Sequence, residues 1–366
     1  MKFQCKKADI ITSIQQVQNI VGQRTTLQIL SNLLIEAKSD HTLTFTATDL
    51  EIGIVSSSIV EVSEEGRTTI PAKKLFDIVR NLPEEIISFE TDEDQVLRIQ
   101  CGKSFYRVFG LAADEYPALP DFADSPSWEF DQSILRTIIR NTNFAISRDE
   151  SRYVLNGIYL VFNSSEIIGV ATDGRRLSLS KRSGMNFKDT KLDFIIPAKT
   201  VNELIKLLTD EGSIKIHHKG NQVSFIMGKT TLVTKLIEGN FPEYQAVIPA
   251  DCKEKVVFNN KDFTAAIQRV SILTSDKTNS IKFVFRDNKC IITANSPNIG
   301  EAREEIDVQY KGQELQIAFN PLFLLDILRC LEEEDVTFEL NNSLTPGLIR
   351  HGVEFLSVIM PMRLTE

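Results

Sequence analysis

No two cysteines in this sequence stand in a CxxC pair. Cys5, Cys101, Cys252, Cys290 and Cys330 are scattered and odd in number, which fits unpaired thiols packed as small hydrophobes in a reducing cytosol. The four histidines, His41, His217, His218 and His351, have no zinc spacing with each other or with the cysteines. His217 and His218 are adjacent, so a strand would send them to opposite faces. No metal site is expected. No run approaches the ~18 apolar residues of a membrane span. The opening MKFQCKKADIITSIQQ turns polar at once, without the apolar core of a signal peptide. A cytoplasmic location without a membrane partner is expected. An excess of positive charge is also missing, with 41 Lys and Arg against 50 Asp and Glu and a net charge of −9. That balance argues against an outer surface coated for nucleic acid and leaves room for a local basic face. GxSxG, HExxH and Cys–His signatures are absent, so no catalytic residue and no cofactor is expected.

What the sequence does have is an internal repeat. FTATDLEIG (45–53) returns as GVATDGRRL (169–177), with Asp49 and Asp173 lying 124 residues apart. TTIPAKKLFDIV (68–79) returns as FIIPAKTVNELI (194–205), and the Pro71–Pro197 offset is 126. QVLRIQCGKSFYRVFGL (95–111) answers to QVSFIMGKTTLVTKLI (222–237), again with an offset of 126 between Gly102 and Gly228. A fainter third copy runs CIITANSPNIG (290–300) and LQIAFNPLFLLDIL (315–328). Each copy reads as an amphipathic helix, two or three alternating strands, a second helix opened by the P-A-K element, and further strands. Ile134, Leu135, Ile138, Ile139 and Ile146 form one stripe of the middle copy; Val201, Leu204, Ile205 and Leu208 form another. Asn163–Ser165 and Lys219–Asn221 have hairpin-turn chemistry. Copies of this size exceed a solenoid unit, so three α+β domains are expected, at 1–125, 126–250 and 251–366.

Two stretches imitate active-site motifs. MGKTT (227–231) ends like a phosphate-binding loop, but that loop needs glycine at 223, where valine stands, and a helix where TLVTKLI alternates like a strand. CGKSF fails in the same way, with Leu97 at the corresponding position. Both are expected to be hairpin turns. Asp49 and Asp173 each follow a strand, where a carboxylate accepts backbone N–H bonds and fixes a turn. The acidic run LEEED (331–335) is expected to be solvated.

Polar, partly basic helix faces recur in this acidic chain. Arg136, Arg140 and Asn143 share one face of the middle copy's first helix, opposite its isoleucines. Lys199, Asn202 and Lys206 repeat the arrangement on the second helix, and Lys73, Asp77 and Arg80 do so in the first copy. Arg24 follows the first helix, and the third copy offers Arg269, Lys277 and Arg329.

The opening MKF, LQILSNLLI, TATDLEI, IPAKKLFDIVRNLP, RYVLNGIYL, VATDGRRL, GNFPEYQAVIP, AFNPLFLLDIL and VIMPMRL occur in an order that resembles the bacterial DNA sliding clamps, the family of the beta subunit of DNA polymerase III. The resemblance spans essentially the whole chain. It implies three similar domains per chain and a head-to-tail homodimer closing into a ring, with helices lining the bore and sheets outside. It further implies a non-enzymatic processivity factor that encircles double-stranded DNA and slides without base readout. Bore contacts are expected from Arg24, Lys73, Arg80, Arg136, Arg140, Tyr153, Lys199 and Lys206. The resemblance pairs Lys103, Phe105, Tyr106 and Val108 of one chain with Ile272, Leu273, Glu301 and Glu304 of the next.

The stretch matching ATDGRRL would wall a pocket for short linear peptides of the polymerase III alpha subunit, the clamp loader, other polymerases and repair proteins. Carried over position by position, the pocket comprises Arg152, Leu155, Thr172, Gly174, Arg175, Arg176, Leu177, Pro242, Val247, Asn320, Phe323, Val358, Met360, Pro361 and Met362. Gly174 lets a ligand approach the backbone, the aliphatic residues supply walls, and the methionines repack around different partners. Arg152 and Arg176 are expected to hold peptide carbonyls or a polar anchor. Arg175 stands where many members carry histidine, Phe323 stands where tyrosine is common, and Thr365 and Glu366 extend past the usual end. DLEI replaces DGRRL in the first copy, which implies one such pocket per chain. Two other readings stand beside the clamp: a nuclease or nucleotidyl transferase using Asp49 and Asp173, and a repeat scaffold that binds peptides and never DNA.

Overall fold

Each copy begins with a short strand where the sequence pattern predicts a helix at once: Lys2–Lys6, Ser127–Asp131 and Glu254–Asn259. The helices come next, as α1 (Lys7–Gln18), α2 (Ala72–Asn81), α3 (Gln132–Thr142), α4 (Ala198–Leu207), α5 (Asn260–Ser271) and α6 (Pro321–Leu328). The structure, a computed structural model, describes residues 1–22, 27–187, 191–274, 279–296 and 299–363. Arg24, Lys277, Thr365 and Glu366 lie outside the described residues.

The chain divides into two compact units, Met1–Ser133 with Asn202–Leu236, and Ile134–Val201 with Ile237–Glu366. In the first unit, an antiparallel five-stranded sheet runs Glu61–Glu64, Lys2–Lys6, Ile86–Thr91, Val96–Cys101, Ser104–Phe109. An eight-stranded sheet runs Ser127–Asp131, Ser213–Lys219, Gln222–Met227, Thr230–Lys235, Ile52–Ile59, Thr42–Thr48, Asn32–Ala37, Gly66–Pro71. Strands of the first two copies therefore share this sheet, with Val233 opposite Gly53. Helices α1 and α2 pack on each other, burying Ile10, Ile14 and Val17 from one and Leu75, Phe76 and Val79 from the other.

The second unit repeats the scheme. Its eight-stranded sheet runs Leu192–Pro197, Gly157–Asn163, Glu166–Thr172, Arg176–Ser183, Phe355–Ile359, Gly347–His351, Asp335–Leu340, Glu254–Asn259. Here strands of the second and third copies meet, with Leu177 opposite Val358. A four-stranded sheet runs Gly300–Asp307, Lys289–Ser296, Ile281–Arg286, Leu315–Phe319. Helix α5 is capped by the Asn259 side chain, and it packs on α6 over a core of Phe258, Phe263, Phe283, Phe319 and Phe338. Helix α6 opens with Pro321 behind the Asn320 cap, as a helix tolerates a missing N–H in its first turn.

Hairpin chemistry reads through correctly. Gly220, Gly228 and Gly102 take positive φ in two-residue turns closing 219–222, 227–230 and 101–104, so MGKTT and CGKSF are strand connections. The helical stripes are shorter than the spacing predicts. Leu135, Ile138 and Ile139 are buried, but α3 ends at Thr142, leaving Asn143 in a 3-10 turn and Ile146 beyond it. Ile205 is exposed on α4 while Val201 and Leu204 carry the buried face. Cys5, Cys101 and Cys290 are buried and all five thiols are free.

Gly169 shows how tightly α3 meets its sheet. A Cβ placed there would lie 2.2 Å from Ile138 Cγ2. Gly169→Ala should therefore lower the unfolding midpoint, although alanine outranks glycine in ordinary strand positions. Ile138→Ala alone should cost about 2–5 kcal/mol. The double variant should be more stable than the sum of the singles, as measured by thermal and urea unfolding.

Candidate partner-binding site

The turn in ATDGRRL is built by its own side chains. Thr172 Oγ1 donates to the Arg176 carbonyl at 2.7 Å and accepts from the Gly174 N–H at 3.1 Å. Asp173 Oδ1 accepts from the Arg175 and Arg176 N–H groups at 2.9 and 3.0 Å. The first copy matches it: Asp49 Oδ1 accepts from Glu51 and Ile52 N–H groups, and Thr48 Oγ1 donates to the Ile52 carbonyl. Asp173 is a turn-fixing carboxylate. Gly174 has φ +82°, and a Cβ there would lie 2.7 Å from an Arg152 guanidinium nitrogen.

Arg176 is tied into the protein on several sides. Its guanidinium donates to Asp173 at 3.1 Å, to Asp326 of α6 at 2.8 Å and to the Phe144 carbonyl. It also lies over the Phe323 ring, 4.3 Å from the centroid, and its side chain is only 10 % exposed. These groups take three of its five N–H donors, so it braces the wall from within. Arg152 is the accessible one, bonded through Nε to Asp149 at 3.0 Å and half exposed. The Asn320 side-chain oxygen accepts from the Leu322 N–H at 2.9 Å as the cap of α6.

Beneath the turn lies an apolar sheet face. Val170, Leu177, Leu179, Leu348 and Val358 are buried, with Tyr159, Ile168, Phe241, Tyr244, Ile248, Cys252 and Leu356 packed around them. The cross-strand pairs Leu177–Val358 and Leu348–Val358 put these side chains on one face. Tyr159 stacks on Phe241 with centroids 4.8 Å apart. The Met360 N–H donates to the Arg175 carbonyl at 2.9 Å, and Met362 to Ala318 at 2.8 Å, so the terminal segment joins the turn to the approach of α6. Met360 is exposed and Pro361 and Met362 are half-buried; Leu155 is buried, Pro242 is exposed, and Val247 is 50 % exposed. The structure thus gathers most of the expected pocket residues around one face. Sequence reasoning passed over Tyr159, Phe241, Tyr244 and Leu179; alternation in LNGIYLVF and RRLSL carried the signal for Tyr159 and Leu179 only.

Of the expected phosphate contacts, Lys73 and Arg80 on α2, Arg136 and Arg140 on α3, and Lys199 and Lys206 on α4 are exposed, as is Tyr153. Several have acidic neighbours: Arg80–Asp77 at 3.4 Å, Arg140–Glu332 at 3.0 Å and Lys206–Glu203 at 2.7 Å. Helix α6, like α4 with Ile205, carries an exposed apolar residue, Leu322. Two sheets end on strands that carry the expected interface residues. Ser104–Phe109 exposes Phe105 and Tyr106, and also Phe109 at 73 %, which the sequence pattern did not single out. Gly300–Asp307 lies beside the half-buried Leu273, which adjoins the exposed Ile272 at the end of α5. Glu304 on that strand is held by Arg269 of its own chain in two bonds of 2.7 and 2.9 Å.

Burial, then the hydrogen bond donated to Asp193, pushes the Tyr159 phenol up to about 12. Its contribution to stability is whole below the ordinary phenol value of about 10 and is lost as pH rises through the folded value. Tyr159→Phe should flatten part of the alkaline fall in stability, read by unfolding midpoints with tyrosinate absorbance.

The family model of the DNA polymerase III beta subunit matches this chain in three parts: its N-terminal domain at residues 1–120, its central domain at 129–243 and its C-terminal domain at 245–363. A beta sliding clamp of Chlamydia pneumoniae is 34% identical over 366 residues, covering 100% of both chains. The crystal structure of the DNA polymerase III subunit beta from Pseudomonas aeruginosa superposes with a TM-score of 0.95 at 33% identity, covering 100% of both chains. A sliding clamp of the same organism bound to griselimycin gives the same TM-score, identity and coverage. With all three domains matched along its length, this chain belongs to the DNA polymerase III beta subunit family, the beta sliding clamps.

Proposed function

We propose that this chain is a DNA polymerase processivity factor, a clamp that encircles duplex DNA and tethers polymerases to it. The observation that carries the reading is the match of every one of the three clamp domains, in order, to one chain. The domains are taken as 1–125, 126–250 and 251–366. Two chains join head to tail into a ring whose bore is lined by the helices. The exposed Lys73, Arg80, Arg136, Arg140, Lys199 and Lys206 meet phosphates there without reading bases. Their exposed ion pairs are weak and exchange readily for phosphate. The strands Ser104–Phe109 and Gly300–Asp307 are sheet edges, and exposed aromatic edges call for a partner. Lys103, Phe105, Tyr106 and Val108 meeting Ile272, Leu273, Glu301 and Glu304 of the next chain supply that cover. Enzymatic turnover plays no part in this reading, and the place of work is the cytoplasm.

The partners are short peptide segments of the polymerase III alpha subunit, the clamp loader, other polymerases and repair proteins. They bind over the Leu177–Val358 face, between the 172–176 turn, Val247 and the Met360–Met362 segment. An apolar floor with few polar groups at its rim suits an extended segment with aliphatic anchors. That a relative of this fold binds griselimycin supports a small-ligand site in the family.

The protein should stay on nicked circular DNA and escape once the circle is cut open; equal retention on both forms argues for the peptide scaffold without threading. Phe105→Asp with Phe109→Asp should reduce the light-scattering mass to one chain and abolish that retention. Met360→Ala with Met362→Ala should weaken binding of a polymerase-derived peptide at least tenfold in calorimetry, at unchanged ring mass. Metal-dependent turnover lost in Asp173→Asn would instead favour the enzyme reading.

A further inference from the structure

The eight-stranded sheet of the first unit carries a face built like the one proposed to take peptides. Strand register makes the comparison residue by residue. Gly53 sits opposite Val233 and Val55 opposite Thr231, as Leu177 sits opposite Val358 and Leu179 opposite Leu356. The next strand brings Ser224 and Ile226 to that face, as Leu348 and Arg350 are brought to the other. The chain leaving the sheet crosses both faces. Glu115-Tyr116 precedes the crossing in the first copy and Glu243-Tyr244 in the second.

The occupants differ. On the first-unit face, Val55, Ile226, Thr231, Val233, Ser224 and His217 line a cavity of about 290 Å³ roofed by residues 119–123. Gly53 stands where its counterpart is Leu177, and Leu119 lies in the space a side chain would need. An ideal Cβ on Gly53 would lie 2.5 Å from Leu119 Cδ2 and 3.1 Å from Cδ1. The segment is pinned around that seat: Phe122 packs edge-on to His217, and the Lys219 ammonium donates to the Asp121 carbonyl at 2.8 Å. On the second-unit face the corresponding segment leaves Val247 half exposed.

We propose that the first unit holds a second copy of the peptide pocket, in which the chain's own Leu119 takes the anchor seat on Gly53 as an intramolecular ligand, beside the space that remains open. Absence of the DGRRL turn is then only half of the reason for one open pocket per chain. The other half is self-occupancy, and a vacated seat takes a short peptide carrying a leucine anchor. The inference rests on the peptide-binding reading of the Leu177–Val358 face.

The test uses the full chain and a fluorescein-labelled peptide of residues 118–122, ALPDF. Leu119 is half-buried at the surface, so Leu119→Ala should keep the fold, checked by circular dichroism; Leu119→Ser serves if it does not. Leu119→Ala should bind one more peptide per chain than the unsubstituted protein, and this additional equivalent should survive Met360→Ala with Met362→Ala. A stoichiometry unchanged by Leu119→Ala overturns the self-occupied site. Wild-type binding that is indifferent to the two methionine substitutions, with the extra equivalent still gained in Leu119→Ala, removes the underlying pocket assignment and leaves the seat.

Discussion

The turn, α6 and the segment after α3 in the second unit depend on one guanidinium. Arg176 is reached by the carboxylates of Asp173 and Asp326 and by the Phe144 carbonyl, while Phe323 covers its plane. These partners come from a turn, from α6 and from the segment after α3, so a single side chain couples three separate stretches. Removing the guanidinium would leave the part-buried Asp173 and Asp326 carboxylates without their shared cation. The consequence is a rigid wall. A binding site loses less affinity to ordering when its walls are fixed beforehand; around this face Arg152, Arg175, Val247 and Met360 are exposed.

The same turn serves two ends in two copies. Thr48 and Asp49 make the bonds that Thr172 and Asp173 make. Turn chemistry is thus indifferent to the strand residues that come after it. Two positions after the aspartate differ in consequence: the third is Ile52 in one copy and the bracing Arg176 in the other, and at the fourth leucine builds a floor where glycine leaves room for Leu119. Duplication supplied two equivalent sheet faces, and local side-chain volume separated their fates, as close packing demands.

Charge on the helices illustrates a similar division. Spacing placed Lys73, Arg80, Arg136, Arg140, Lys199 and Lys206 on solvent faces because apolar positions at helical period define the opposite face. Which acid each one meets was not readable, since Arg140 finds Glu332 nearly two hundred positions away. The short opening strands of the three copies also escaped notice. KFQCK, SWEFD and EKVVFN are too brief for periodicity to distinguish from a helix entrance, and pairing with distant strands decides them.

Local chemistry in the sequence by itself determined the triple repeat, the glycine hairpins, the turn-fixing aspartates and the buried stripes of the helices. Each depends on residues a few positions apart, where backbone geometry leaves few alternatives. Tertiary structure alone decided that Arg176 braces the wall, that Tyr159, Phe241 and Tyr244 frame the floor, and that Leu119 fills the space above Gly53. Those contacts join segments far apart in the chain, and register between strands, which no local pattern encodes, sets which side chains meet.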